Sequence, residues 1–225
     1  MSKLTKDFIE SGAYRTALAN AEEHPLWTSA ELDASLQSTL KLQPERGPVW
    51  LFAYGSLLWN PLLDFVRGER GMLHGWHRSF CIRLVIGRGT AEVPGRMLAL
   101  EAGGVTSGVA YQLRQDCIYE DLSVIWAREM IGGVYRPTWT RVELENGDIV
   151  HAIAFVANEL HALYEEDSTV AAISSPIMKA AGPLGDNIDY VLRLEASLSQ
   201  HGLHDPYISE LAKAVSSDEC TGDSK

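Results

Sequence analysis

The run Val49-Trp50-Leu51-Phe52-Ala53-Tyr54 constrains the fold more than any other stretch of this chain. It carries no charged or hydrogen-bonding break apart from ring termini, and its aromatic and β-branched content predicts a buried strand. Pro44 to Pro48, with Gly47, punctuate the chain ahead of it, and Gly55-Ser56 turn it at its end. A buried strand running into a glycine turn needs a sheet around it.

Strand character returns over residues 71–86, broken at Gly75, and over 96–101 and 105–113. Trp139 to Leu144 and Ile149 to Ala157 flank Glu145-Asn146-Gly147-Asp148, whose Asn-Gly pair is a favoured two-residue hairpin turn. Asp116 to Met130 reads as a helix, and another begins near Asn187, after Gly182-Pro183-Leu184-Gly185, carrying Val191, Leu194 and Leu198. Ahead of the first strand the pattern is helical: Phe8, Ala17 and Leu18 mark one segment, and Thr28-x-x-Glu31 offers a capping box before Leu32, Leu36 and Leu40. Strands outnumber crossover helices, which predicts an α+β fold: a small, mostly antiparallel β-barrel with attached helices. The expected organisation is a helical extension over residues 1–47, the main domain over 48–215 and a polar tail over 216–225.

Composition removes several functions. The net charge of −11 opposes phosphate backbones and anionic lipid, so nucleic acid is not an expected partner. No apolar run reaches the roughly 20 residues of a membrane span, and no signal-peptide pattern follows Met1, so no membrane role is expected and a cytoplasmic protein is. The three cysteines, Cys81, Cys117 and Cys220, are far apart and read as reduced thiols. The histidines lack a metal-ligand spacing; His74 and His77 in a strand would point to opposite faces. No metal is expected.

Two features carry chemistry. Ile118, Leu122, Ile125 and Glu129 follow i, i+4, i+7, i+11 and fall within about 60° of one another on a helix. Glu129 therefore points where the core should be, while Arg128 points away from that stripe. An unpaired carboxyl buried there has its pKa raised and suits proton exchange near neutrality. The alternative is a helix-end carboxylate that reaches solvent or bonds Gly132-Gly133. The second feature is Tyr54-Gly55-Ser56-Leu57. Gly55 lets the backbone approach a ligand, and successive amides in such a turn form an anion nest; a tight turn and nothing more is the alternative. It is neither a dinucleotide nor an ATP loop, and Ser56 is not in a nucleophile elbow.

Through nearly its whole length the chain resembles the ChaC family of glutathione-specific γ-glutamylcyclotransferases, particularly its bacterial members. The resemblance rests on Gly47-Pro48-Val49-Trp50, Tyr54-Gly55-Ser56-Leu57 with Trp59-Asn60-Pro61, Gly75-Trp76-His77-Arg78, Gly87-Arg88-Gly89-Thr90 with Pro94-Gly95-Arg96, and Arg128-Glu129-Met130. Tyr135 with Pro137-Thr138-Trp139 and the stretch Ser174 to Tyr190 continue it. The amino-terminal helices, absent from shorter members, resemble the bacterial form.

The resemblance implies the γ-glutamylcyclotransferase-like fold, a γ-glutamyl group held by the turn from Ala53 to Leu58 (Ala53, Tyr54, Gly55, Ser56, Leu57, Leu58), and Glu129 as acid and base. At Ala53 glycine is frequent in the family, and Gly132-Gly133-Val134 departs in detail. The implied substrate is glutathione, with no cofactor. Other γ-glutamyl peptides or amines are the alternative substrates, and a non-catalytic regulator of a cation transporter is the alternative of a different class. Six arginines lie between Arg67 and Arg96, with no lysine, and any of them could receive a substrate carboxylate.

Overall fold

A computed structural model describes residues 4–19 and 25–217. Three helices come first: α1 (Lys6–Glu10), α2 (Ala13–Ala19) and α3 (Ser29–Lys41). The segment read as one helix around Phe8 and Leu18 is thus two, split at Ser11-Gly12, where Gly12 adopts φ +76°. α3 starts with the expected capping box, since Thr28 Oγ1 accepts from Glu31 N while Thr28 N donates to Glu31 Oε2 at 2.7 Å. Leu32 and Leu36 are buried against the barrel.

The barrel is closed, in the order β1 (Trp50–Ala53), β3 (Gly95–Leu113), β2 (Phe65–Leu84), β4 (Tyr135–Leu144) and β5 (Ile149–Ala157). Every pairing is antiparallel except the one that closes it, where Trp50 and Leu51 of β1 align with Ala152 and Ile153 of β5 in parallel. β1 is buried along its whole length, which is why its sequence shows no alternation. Closure leaves β1 without a free edge. Trp126, Phe52, Phe80 and Phe155 are the largest of the fully buried side chains.

β2 and β3 are longer than the sequence suggested. Gly75 does not break β2 but takes φ +83° in an irregularity between His74 and Trp76. That insertion shifts the alternation by one residue. His74 and His77, expected on opposite faces, are consequently both exposed, the first beside Glu143 and the second beside the Gly103 carbonyl.

After α4 (Ile118–Glu129) and the β4–β5 hairpin come α5 (Val170–Lys179), a two-stranded ribbon of β6 (Ala181–Gly182) and β7 (Gly185–Asp186), α6 (Asn187–Gln200) and α7 (Pro206–Ser217). Two of these helices were not anticipated. α5 hides its pattern behind Ser174-Ser175-Pro176, whereas α7 buries Ile208, Leu211, Ala212 and Val215 at plain helical spacing. The tail expected from residue 216 therefore begins inside α7, and residues 218–225 lie outside the described part. No described helix is long and apolar enough to cross a membrane. Among the described residues, no cluster of three or more His, Cys, Asp or Glu is placed to hold a metal ion.

Candidate active site

Glu129 is the last residue of α4. The helix ends there because Gly133, at φ +68°, turns the chain and donates its N–H to Met130 O at 3.0 Å. Ile125 and Leu122, one and two turns back on the same stripe, are fully buried, so the stripe delivers the Glu129 side chain inward at 14% exposure. Its Oε1 is buried without a hydrogen bond. Gly132 and Gly133 do not bond it, and the solvated helix end is not what the chain forms. Burial raises the carboxyl pKa above its usual value, against the smaller opposing effect of Arg128.

Arg128 departs from expectation. Instead of pointing away, its side chain is buried, and its Nε lies 3.0 Å from Glu129 Oε1 without the alignment of a hydrogen bond. Its other donors are committed elsewhere: Nη1 to the Asn60 carbonyl at 2.6 Å and Nη2 to Ser56 Oγ at 2.5 Å. This one guanidinium ties the glycine turn to the end of α4. The adjacency of Arg128 to Glu129 was the available signal, and its helical angle concealed it.

The turn itself is a short 3₁₀ segment, Ser56–Leu58, closed by Leu58 N donating to Gly55 O at 2.9 Å. Of the residues from Ala53 to Leu58, only Ser56 lines the cavity beside Glu129. Ala53, Tyr54, Leu57 and Leu58 are core, and Tyr54 is fixed from both ends: its hydroxyl donates to Phe155 O at 2.5 Å, and Arg78 Nε donates to its carbonyl at 2.8 Å. At Gly55 a Cβ would come within 3.1 Å of Leu98 Cδ2 and 3.2 Å of the Tyr190 hydroxyl. Glycine is needed there for space, since φ −129° is open to any residue.

The cavity has a volume of about 510 Å³. Tyr135 and Tyr190 line it near Glu129. Burial first, and the Glu129 charge among the further causes, push the Tyr190 phenol up to about 12 and raise that of Tyr135 as well. Both hydroxyls are therefore neutral donors. Tyr135 donates to Leu98 O at 2.7 Å. Tyr190 lies one turn after Asn187 on α6, whose side-chain amide clamps both backbone groups of Arg96 on β3 at 2.7 and 3.1 Å, and its hydroxyl is hydrogen-bonded at Ser56. Neither tyrosine was singled out from sequence, because each lies in an ordinary strand or helix pattern.

Of the six arginines between Arg67 and Arg96, three reach the cavity. Arg67 and Arg70 pair with Glu69 and Glu145 at the surface, and Arg78 is buried against Asp205. Arg83, Arg88 and Arg96 line the cavity, joined by Arg128 and Arg193, against only Glu129 and Asp189 as acids. Arg96 is already paired with Glu165. Arg193 lies over the Trp59 ring, 5.4 Å from its centroid. In a chain of net charge −11 this cavity is lined by five guanidinium groups and two carboxyls.

Residues 49–218, three quarters of the chain and the whole barrel with its carboxyl-terminal helices, match the family described as ChaC-like protein. The chain belongs to that family. It is 45% identical over 212 residues to the glutathione-specific γ-glutamylcyclotransferase of Escherichia coli K12, covering 94% of this chain and 92% of that one. It is 30% identical over 176 residues to the zebrafish (Danio rerio) glutathione-specific γ-glutamylcyclotransferase 1, covering 76% and 90% respectively. The fold matches the crystal structure of a yeast γ-glutamyl cyclotransferase specific to glutathione, with a TM-score of 0.69 at 20% identity over 76% of this chain and 96% of that one. The α+β barrel expected for the ChaC family is thus the one this chain adopts.

Proposed function

We propose that this ChaC-family chain is a γ-glutamylcyclotransferase that opens glutathione to 5-oxoproline and cysteinylglycine, with Glu129 as acid and base. The observation that carries this reading is the buried, unbonded carboxyl oxygen of Glu129 at the end of a cationic cavity. The cavity volume falls in the roughly 300–1,000 Å³ range of small-molecule sites. An excess of guanidinium groups suits a substrate with two carboxylates.

The γ-amide of glutathione is inert, but its own α-amine can reach the γ-carbonyl carbon and close a five-membered ring. Held in a reactive geometry, such an intramolecular attack has an effective molarity of up to ~10⁵–10⁸ M. The amine enters as an ammonium, with a pKa of roughly 8 against about 4.3 for an ordinary glutamate. The raised pKa of Glu129 narrows that gap. Glu129 takes one proton from the ammonium and the amine nitrogen bonds the carbonyl carbon; Glu129 passes that proton to the cysteinyl nitrogen as its bond to the carbon breaks, and the second proton shed by the ring nitrogen follows through the same carboxylate, leaving the lactam N–H of 5-oxoproline and a cysteinyl ammonium. Ser56, the one residue of the turn that lines the cavity, supplies a polar contact for either the substrate carboxylate or the developing oxyanion. Two-way proton transfer of this kind contributes ~10²–10⁴-fold.

The reading places the reaction in the cytoplasm, supported by the odd number of cysteines, of which Cys81 and Cys117 are free. The test is direct. Purified protein incubated with glutathione should release 5-oxoproline, and no release, with γ-glutamylalanine also untouched, would sink the assignment. Release from γ-glutamylalanine alone would keep the chemistry and change the substrate.

A further inference from the structure

The matched family region starts at residue 49, yet it does not close the cavity alone. Leu4, Tyr14, Leu18 and Leu26, all earlier in the chain, line the same cavity as Glu129. α1 has five residues and α2 seven, too short to be stable helices on their own. Contacts to the domain fix them. Lys6 Nζ on α1 lies 3.1 Å from Asp121 Oδ1 on α4, and Asn60 Nδ2 donates to the Leu4 carbonyl at 2.9 Å. On the far side Trp27 N donates to Ile131 O at 2.8 Å, while Arg15 Nη2 donates to Trp27 O at 2.6 Å. Gly133, the residue that ends α4, lies directly under the Trp27 indole, where a Cβ would come within 2.7 Å of its ring nitrogen.

Tyr14 is the one residue of this roof that brings a polar group to the cavity. Its ring packs against Phe8, with centroids 6.3 Å apart, and its hydroxyl makes no hydrogen bond among the described residues. Burial, and after it the charge of Glu129, push the phenol up to about 12, so it is a donor wherever the enzyme works. An unpaired donor in the lining of a cavity is open to a molecule bound there. Here it lies within electrostatic reach of the acid/base, with cavity between them.

We propose that the amino-terminal extension completes the active site, and that the Tyr14 hydroxyl donates a hydrogen bond to an oxygen of the γ-glutamyl group held beside Glu129. This rests on the proposed function, and it gives the extension a role in recognition. The γ-glutamyl group offers acceptors in its α-carboxylate and γ-carbonyl, whereas cysteinylglycine leaves from the other side of the scissile bond. Tyr14 therefore discriminates between the two products.

The test compares Tyr14→Phe with wild-type enzyme for turnover and for inhibition by each product. The variant keeps the ring on Phe8 and loses only the hydroxyl. The expected result is an approximately tenfold fall in kcat/KM, weaker inhibition by 5-oxoproline, unchanged inhibition by cysteinylglycine and an unchanged melting temperature; tenfold is the loss of a single hydrogen bond. Lys6→Ala, which loosens the roof without altering the cavity lining, should raise KM several-fold. Wild-type constants in Tyr14→Phe would overturn the proposal, as would equal weakening of both products or a lowered melting temperature, which mark a purely structural residue. Glu129→Gln separates this from the underlying reading: an inactive Glu129→Gln beside a wild-type Tyr14→Phe removes only the role of Tyr14, while an active Glu129→Gln removes the acid/base assignment.

Discussion

The two inward-facing carboxylates of α4 have opposite fates. Asp121, in the first turn, is 1% exposed and surrounded by donors: Lys6 Nζ and Cys117 Sγ, each at 3.1 Å, and the Asp64 N–H at 3.3 Å. Glu129, at the other end, has an oxygen just as buried with no hydrogen bond: the Arg128 Nε lies 3.0 Å away without the alignment to donate, and the other guanidinium donors go to Ser56 and Asn60. A buried carboxylate is tolerated when its acceptors are filled. The first end of the helix meets that condition and anchors the amino-terminal roof; the second violates it, and the violation faces a cavity.

The contrast breaks most sharply at Glu129. Glu129→Gln preserves shape and removes the exchangeable proton, so 5-oxoproline release should fall by ~10²–10⁴-fold while circular dichroism stays native. Near wild-type release would make Glu129 a second structural acid. The next largest effect is expected at Gly55→Val. A branched side chain there meets Leu98 and the Tyr190 hydroxyl, displacing the phenol that faces Glu129. Turnover should drop on the order of 10²-fold, the usual result of a small misplacement in a reactive geometry. Full turnover in this variant would show that neither the turn nor Tyr190 positions the substrate.

Asp121→Asn probes the anchoring end. It leaves Lys6 without its ion pair, but Lys6 is partly exposed and can be hydrated, so stability should fall by about 1–3 kcal/mol, the range for hydrogen bonds to charged groups. Urea unfolding measures the loss, and kcat of the folded enzyme should stay near wild type. A collapse of kcat without a loss of stability would reverse the roles given to the two ends.

Much of this was legible in the sequence, and the rest had specific reasons for hiding. The barrel showed itself through β1, whose apolar run announces burial, and through the Asn146-Gly147 hairpin. Glu129 stood out because a charged residue occupied an apolar stripe. What stayed hidden was what distant segments bring together. Arg128 was read from its helical angle, but a side chain with several rotatable bonds bends to Ser56, 72 residues away. The turn looked like a cradle as a whole, yet most of it is core and only Ser56 reaches the cavity. Tyr190 and Tyr14 belong to helices whose apolar patterns a tyrosine fits without remark. The bulge at Gly75 inverted the facing of His77 because one inserted residue is invisible to a period of two.

The smallest effect is also the one that isolates the electrostatic difference between the two acids. Because burial raises the Glu129 pKa in the folded chain, the folded state holds that proton more tightly than the unfolded state, whose value is about 4.3. The stability this gives is fully present below that pH and is lost as pH rises through the raised folded value. Glu129→Gln carries no such proton. The stability of wild type relative to Glu129→Gln should therefore decline as pH rises from about 4, by about 1.4 kcal/mol for each unit by which the pKa is raised, and become constant above the folded pKa. Arg128 opposes the rise, because its charge favours the ionised carboxylate, and its share is already contained in the folded pKa that the curve reports. Denaturant unfolding of both proteins between pH 4 and 8 gives the difference curve. A flat curve would mean that Glu129 is as well solvated or as well paired as Asp121, and the two ends of α4 would no longer differ in kind.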